Sequence, residues 1–256
     1  YIKTISNKEI NQNSKLIIFS NKNNIIKKCD VVIFCLPTPL TKNFEPDLSY
    51  VENTFNEVSK YFKKSTLICL ESTTYPGTTD DIFANNLKKK FTIGENIFLG
   101  YSPEREDPGN KKFTIDKITK VVAGYSKNCL NLMDALYSII TKTYKVSNLK
   151  TAETTKLFEN IFRSVNIGLV NEMKIICDKM KLDIHEIIDA AKTKPFGYME
   201  FRPGPGLGGH CIPIDPFLLT WKAKEYGVNT RFIELSGQIN SEMPNYVCNK
   251  IVNHFA

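Results

Sequence analysis

No apolar run in this chain approaches the roughly 18 residues that a membrane span requires, so no transmembrane segment is expected. The opening residues, Tyr1 to Lys8, lack the charged-then-apolar order of a secretory signal. A soluble, cytoplasmic protein is the expectation. There is no CxxC pair and no Cys/His spacing suited to zinc. The seven cysteines (29, 35, 69, 129, 177, 211 and 248) are odd in number and scattered. That pattern points to a reducing compartment, with neither a disulfide framework nor a metal site. Glycine and proline are sparse, at 13 and 12 of 256 residues, and no internal repeat or low-complexity segment occurs. What remains is a packed chain of one large domain or two smaller ones. The net charge is +7, yet the lysines fall in short groups such as Lys27-Lys28, Lys63-Lys64 and Lys88-Lys90, without interleaved aromatics. A nucleic-acid groove is therefore not expected, and a small anionic ligand fits the charge better.

What is present divides into two parts. The first alternates short apolar runs with amphipathic stretches. Strands are expected over Leu16–Phe19, Asp30–Leu36, Thr66–Leu70, Ile97–Leu99 and Val121–Ala123. Helices are expected over Leu48–Phe62, Asp80–Lys89 and Asn128–Ile140. Near-continuous apolar strands between helices indicate a parallel sheet covered on both faces. Ligands of such sheets sit at the carboxyl ends of the strands. The turns at 37–39, 72–74 and 102–104 fall there.

The second part is helical. From Thr151 to Met180 there is no proline and one glycine, and apolar residues cover much of the circumference. A long helix, buried on most sides in a core or a subunit interface, is expected. Gly168 weakens that helix, which suggests a close helix crossing. Glu153, Lys156, Asn160, Arg163 and Asn171 form a polar set along one side. They are either an exposed stripe or a surface facing something polar. Shorter helices are expected over Ile184–Lys192 and Pro216–Tyr226, and another from Phe232 that breaks before Pro244.

Between these helices lies the run Arg202-Pro-Gly-Pro-Gly-Leu-Gly-Gly-His-Cys-Ile-Pro-Ile-Asp215. Gly204, Gly206, Gly208 and Gly209 allow positive φ and close approach of backbone to a ligand. They lead to Cys211, with a carboxylate four residues on, as covalent thiol chemistry requires. Cys211 is also compatible with a small buried hydrophobe. His210 is adjacent, but neighbours in an extended loop point apart. Asp215 is also suited to capping the next helix. Glu104 to Asp107 reads equally as a solvated charge run, and Thr73 as a turn residue.

Five segments taken together resemble the UDP-glucose/GDP-mannose dehydrogenase family. They are Cys-Leu-Pro-Thr-Pro (35–39), Glu-Ser-Thr-Thr-Tyr-Pro-Gly-Thr-Thr (71–79), Ser-Pro-Glu-Arg-Glu-Asp-Pro-Gly-Asn (102–110), Ala-Glu-Thr-Thr-Lys-Leu-Phe-Glu-Asn (152–160) and Gly-Gly-His-Cys-Ile-Pro-Ile-Asp-Pro (208–216). They occur in the family's order and are most similar to the branch that oxidises UDP-N-acetylhexosamines for bacterial surface polysaccharides. The glucose branch tends to carry other residues where this chain has His210 and Ile214.

The resemblance implies an NAD-dependent nucleotide-sugar 6-dehydrogenase. Its fold would be α/β: an incomplete doubly wound, Rossmann-like parallel sheet, then a helical dimerisation domain with a long central helix. Residues 1–150 would be a partial NAD-binding domain, 151–240 the central domain with the cysteine loop, and 241–256 the lead-in to a UDP-binding domain. The C6 alcohol would be oxidised twice, with two NAD, through a thiohemiacetal and a thioester on Cys211. Lys156 and Asn160 would stabilise the oxyanions, and Asp215 would act as acid or base near the thiol. Glu104 and Thr73 would position water and substrate. Arg105, Glu106, Arg202, Gly206, Gly208 and Gly209 would line the sugar nucleotide, together with Glu104, Lys156 and Asn160. Thr38, Pro39, Thr73 and Glu106 would border NAD. The partners implied are a UDP-sugar and a second copy of the chain through the central helices; no metal, nucleic acid or membrane is implied.

No Gly-x-Gly-x-x-Gly precedes the first strand, and no following acid binds a ribose. An internal fragment, weak in NAD binding and inactive alone, is the resulting expectation. A UDP-glucose or GDP-mannose dehydrogenase, a non-catalytic scaffold, and a cysteine hydrolase or acyltransferase using Cys211 with His210 are the alternatives.

Overall fold

The structure, a computed structural model, describes residues 20–106, 110, 112–209 and 214–255. The strand expected over Leu16–Phe19 and residues 210–213, with Cys211, lie outside them. The chain forms two compact units, Tyr1–Thr38 with Leu48–Glu153, and Pro39–Asp47 with Thr154–Ala256.

In the first unit five strands lie side by side in chain order: β1 (Val31–Phe34), β2 (Leu67–Leu70), β3 (Phe98–Tyr101), β4 (Lys120–Gly124) and β5 (Thr143–Lys145). β1/β2 and β2/β3 pair in parallel, as the apolar runs predict, and β4/β5, a pairing the sequence pattern does not announce, is parallel too. β3 and β4 pair antiparallel, with Gly100 opposite Gly124 and Tyr101 opposite Ala123. The difference from a wholly parallel sheet has a local cause. No helix is assigned among the described residues of 102–119, and an antiparallel return needs no helical crossover. Every residue of β2 is buried, as its continuous Leu-Ile-Cys-Leu sequence requires for a strand covered on both faces.

Those faces are covered by different elements. On one, α1 (Ser49–Val58) supplies Val51, Phe55 and Val58. A π-helical segment, Thr79–Ala84, continues into α2 (Asn85–Leu87) and adds Phe83 and Leu87. Phe34 and Phe83 meet edge to face at 4.9 Å. On the other, α3 (Lys127–Ser138) packs Met133 and Tyr137 against Leu67, Cys69 and Val122. Burying aromatics of this size contributes about 2 kcal/mol each.

The second unit is built from α4 (Leu149–Met180), α5 (Ile184–Ala191), α6 (Asp215–Lys224) and α7 (Arg231–Phe255). α4 is a single helix of 32 residues. The crossing expected at Gly168 is present: a Cβ there would lie 3.2 Å from the Ser236 Cβ on α7. Within this chain α4 is buried along one face, through Leu157, Ile161, Val170 and Cys177, while Phe158 is 66% and Met180 62% exposed. Expectation and structure differ at Pro244: α7 does not break before it but runs through it. A proline removes the hydrogen bond to the carbonyl four residues back, here that of Asn240. That carbonyl faces Gly206, where a Cβ would sit 3.2 Å from the oxygen. The helix tolerates its proline where the glycine loop passes.

Candidate functional site

The predicted site residues fall into both units. In the first, the turns after β1 and β2 are joined at the carboxyl ends of the strands. The Leu36 amide donates to Ser72 Oγ at 2.8 Å, and the Thr38 hydroxyl donates to the Thr73 carbonyl at 2.6 Å. The rim so formed offers hydroxyl and peptide groups without charge. The Thr38 hydroxyl is engaged in shaping that rim. Pro39 begins the excursion 39–47, which belongs to the second unit and closes by Asp47 N donating to the Pro39 carbonyl at 2.8 Å.

Beside the rim is a charged cluster. Lys120, at the first position of β4, places Nζ 3.1 Å from Glu104 Oε2 and 3.3 Å from Glu71 Oε1. The Tyr137 hydroxyl donates to Glu71 Oε1, and the Lys120 ammonium lies 4.9 Å from the Tyr137 ring centroid. Glu104 Oε1 accepts the amides of Arg105 at 2.7 Å and Glu106 at 2.8 Å. Burial alone would raise the Glu104 pKa, but Lys120 and the two amides together lower it. Lys120 is held above its ordinary value by the two carboxylates, against burial. Cys35, within 3.8 Å of Glu71, is pushed up to about 11 by burial and that carboxylate, so it stays a thiol. Arg105 turns its Nη1 to the Thr119 carbonyl at 2.6 Å.

Glu153, at the start of α4, faces the 71–79 turn. Its Oε2 accepts the Gly77 amide at 2.5 Å, and Oε1 accepts the Thr79 amide at 2.8 Å and the Thr79 hydroxyl at 2.6 Å. It closes the start of the π-helical segment. Burial raises its pKa to about 7, outweighing those three donors.

The second unit brings Asn160 and Asp215 together. Both are buried, and Asn160 Nδ2 donates to Asp215 Oδ2. Arg163 Nη2 donates to Asn160 Oδ1. A guanidinium only donates and a carboxylate only accepts, so the amide orientation is fixed from both sides. One N–H of the amide remains for a further acceptor. Asp215 thus turns its Oδ2 to α4 from the first residue of α6, where Ile214 holds the cap position without a side-chain bond. Lys156 lies one turn before Asn160, half-buried, and its ammonium makes no hydrogen bond or ion pair among the described residues.

The glycine loop is tied down by amides. Gly204 N donates to Asn171 Oδ1 at 2.9 Å, Asn171 Nδ2 to Asn240 Oδ1 at 2.9 Å, and Asn240 Nδ2 to the Ser164 carbonyl at 3.0 Å. Gly206, Gly208 and Gly209 have φ of 118°, 62° and 68°, which glycine alone adopts readily. Gly204-x-Gly206-x-x-Gly209 has the letters of a dinucleotide turn, but no strand leads into it. Arg202 pairs with Asp189 at 2.6 Å and Glu200 at 2.7 Å. Its charge is largely used in supporting the loop. Neither Lys120 nor the Glu71 carboxylate is among the residues expected at a site, whereas Arg163, one of the expected polar set on α4, reaches it through Asn160; Lys120 beside an apolar strand is the available signal. No cluster of metal-ligating side chains occurs among the described residues, and no helix there is long and apolar enough to cross a membrane.

A charged cluster at strand ends beside a polar rim, followed by an amide–carboxylate pair that joins the long helix to α6, defines a protein of the doubly wound α/β class. Residues 5–141 match the NAD binding domain of the UDP-glucose/GDP-mannose dehydrogenase family, and residues 150–242 match its central domain. The chain belongs to that family. It is 38% identical over 231 residues to Protein CapL of Staphylococcus aureus, covering 89% of this chain and 54% of that protein. It is 39% identical over 231 residues to a UDP-N-acetyl-D-glucosamine 6-dehydrogenase of Pseudomonas aeruginosa, with the same coverage. A UDP-D-ManNAc dehydrogenase structure from Pyrococcus horikoshii superposes with a TM-score of 0.90 at 29% identity, over 98% of this chain and 61% of that one. The chain spans about half the length of the curated relatives it matches.

Proposed function

We propose that this chain carries the thiol and oxyanion machinery of a nucleotide-sugar dehydrogenase that oxidises the C6 alcohol of a UDP-N-acetylhexosamine to the uronic acid, for surface polysaccharide. The observation that carries the reading is the buried pairing of Asn160 with Asp215. Two motif residues 55 positions apart meet, with Lys156 one turn away. Such an arrangement supplies donors for an oxyanion and a carboxylate for proton transfer.

Thr38 and Thr73 would hold NAD at their rim, and when bound it would supply the oxidant for two successive two-electron oxidations. Between them the Cys211 thiol adds to the C6 aldehyde, giving a thiohemiacetal; loss of the second hydride and a proton leaves a thioester. Water then releases the acid and restores the thiol. Lys156 and the free N–H of Asn160 hold the C6 oxygen in each tetrahedral state, and Asp215 takes or returns the proton. Glu104, with Thr73, orients the water. Pro39, Arg105, Glu106, Arg202 and the glycine loop border the ligands. Residues 1–150 serve the cofactor, 151–240 carry the central chemistry, and 241–256 lead towards a uridine diphosphate site.

The test is NADH formation from a panel of UDP- and GDP-sugars, by residues 1–256 alone and by a chimera that adds the remaining length of the Pseudomonas aeruginosa relative. The chimera should turn over UDP-N-acetylhexosamines, the chain alone should not, and Cys211→Ser should abolish the reaction. Undiminished turnover by Cys211→Ser overturns the reading.

A second copy of the chain is the proposed partner. Phe158, Phe162, Leu169, Met173, Ile176 and Met180 recur every three, four or seven residues and form one exposed apolar stripe along α4. Leu169→Glu should convert a dimer to monomers by analytical ultracentrifugation; an unchanged mass would reject this surface.

A further inference from the structure

We propose that Lys120 is a positioning residue of the dehydrogenase reaction, and that it acts by fixing the Glu104 carboxylate in place and in its ionised form. The inference rests on the reading of Glu104 as the group that orients water and substrate. It starts from geometry. Lys120 is buried at the first position of β4, and its side chain is only 10% exposed. A buried ammonium is costly unless it is paired. It has two partners on opposite sides. Glu71 lies behind it at 3.3 Å, 14% exposed, and is itself fixed by the Tyr137 hydroxyl. Glu104 lies in front at 3.1 Å and remains 44% exposed. The bridge therefore joins an inner, anchored carboxylate to an outer, accessible one.

The hydrogen bonds at Glu104 say what this does. Each carboxylate oxygen offers about two lone-pair directions. Oε1 spends both on the Arg105 and Glu106 amides. Oε2 receives one bond, from Lys120. One acceptor direction is left on the oxygen that Lys120 holds, and that direction is available to a water or a sugar hydroxyl. The lysine thus selects which oxygen works and prevents rotation of the group. Among the described residues, the charged or titratable groups around the site are Lys120 from β4, Glu71 and Cys69 from the β2 end, Tyr137 from α3, Cys35 from the β1 end, and Arg105 and Glu106 from its own loop. Among the described residues, Lys120 is the cation within ion-pair distance of the Glu104 carboxylate.

The deciding experiment is a carbon-detected NMR titration of the Glu104 carboxyl in residues 1–256, assigned with Glu104→Gln. It needs no turnover, so it is independent of the dehydrogenase reading. Lys120→Met should raise the midpoint by about 1–3 pH units, and Lys120→Arg should leave it near wild type. Should Lys120→Met misfold with Glu71 left unpaired, Glu71→Gln/Lys120→Met removes both buried charges and should show the same rise. In the active chimera, Lys120→Met should shift the acid limb of the kcat/KM profile upward by a similar amount and lower kcat more than it changes KM. Lys120→Arg should restore both. An unmoved Glu104 midpoint, or an acid limb unchanged in Lys120→Met, overturns the proposal. Absence of turnover in the parent chimera counts against the dehydrogenase reading alone.

Discussion

Glu104 and Glu153 belong to the same unit, and both accept backbone amides, yet they titrate in opposite directions. Glu104 accepts two amides and faces an ammonium, and its pKa is lowered. Glu153 accepts two amides and a hydroxyl, has no ion-pair partner among the described residues, and is raised to about 7. Donor counts are equal, so donors alone do not decide the protonation state. Depth and countercharge decide it: Glu153 is fully buried, whereas Glu104 is part exposed beside Lys120. The two corners accordingly respond to pH with opposite sign. Glu104 contributes stability that is present above its unfolded pKa and is lost as pH falls through its lowered value. Glu153 contributes stability that is present below its ordinary 4.5 and is lost as pH rises towards about 7.

The largest expected effect breaks the Glu153 corner. Glu153→Ala leaves three donors without their acceptor and should cost about 3 kcal/mol in urea unfolding at pH 5. Glu153→Gln should flatten the wild-type fall in stability between pH 4.5 and 7, itself about 3 kcal/mol over that window. A wild-type curve already flat there would show that the side chain titrates normally.

A smaller effect tests the amide pair of the second unit, where Asn160 stands between the Asp215 carboxylate and the Arg163 guanidinium. Asn160→Asp sets two carboxylates against each other. It should lower stability at pH 7 by about 2 kcal/mol and recover towards pH 4 as one of them protonates. Thermal unfolding at the two pH values measures it, and equal losses at both would point to lost shape rather than repulsion.

Much of this arrangement is legible in the chain. The apolar runs place β1 to β4 within a few residues, because a strand buried on both faces has no polar position to confuse it. The long proline-free stretch gives α4, and Gly168 gives its crossing. β5, a Thr-Tyr-Lys segment, carries no apolar run and is visible only through its pairing with β4. The Lys120 bridge depends on β4 lying antiparallel to β3, which brings residue 120 near residue 104. No local pattern encodes that reversal. Pro244 misleads for a similar reason: the acceptor it leaves unclaimed is covered by a loop distant in sequence.

The smallest expected effect carries no charge and calibrates backbone strain by itself. Gly206→Ala must adopt φ of 118° and approach the Asn240 carbonyl at 3.2 Å, and should cost about 1–2 kcal/mol by urea unfolding. A neutral outcome would mean that the loop relaxes away from α7.

That contact has a consequence for how the protein can be altered. Positions 206 and 244 constrain each other: the missing amide at 244 exposes a carbonyl, and the missing side chain at 206 lets the loop reach it. A change at one alters what the other tolerates. An engineer who replaces Pro244 by alanine gives the Asn240 carbonyl an amide partner within the helix and removes one reason for the loop to stay. Helix repair and loop placement are therefore opposing design goals at this point. A more regular helix would come with a less settled path for the segment that leads to Cys211.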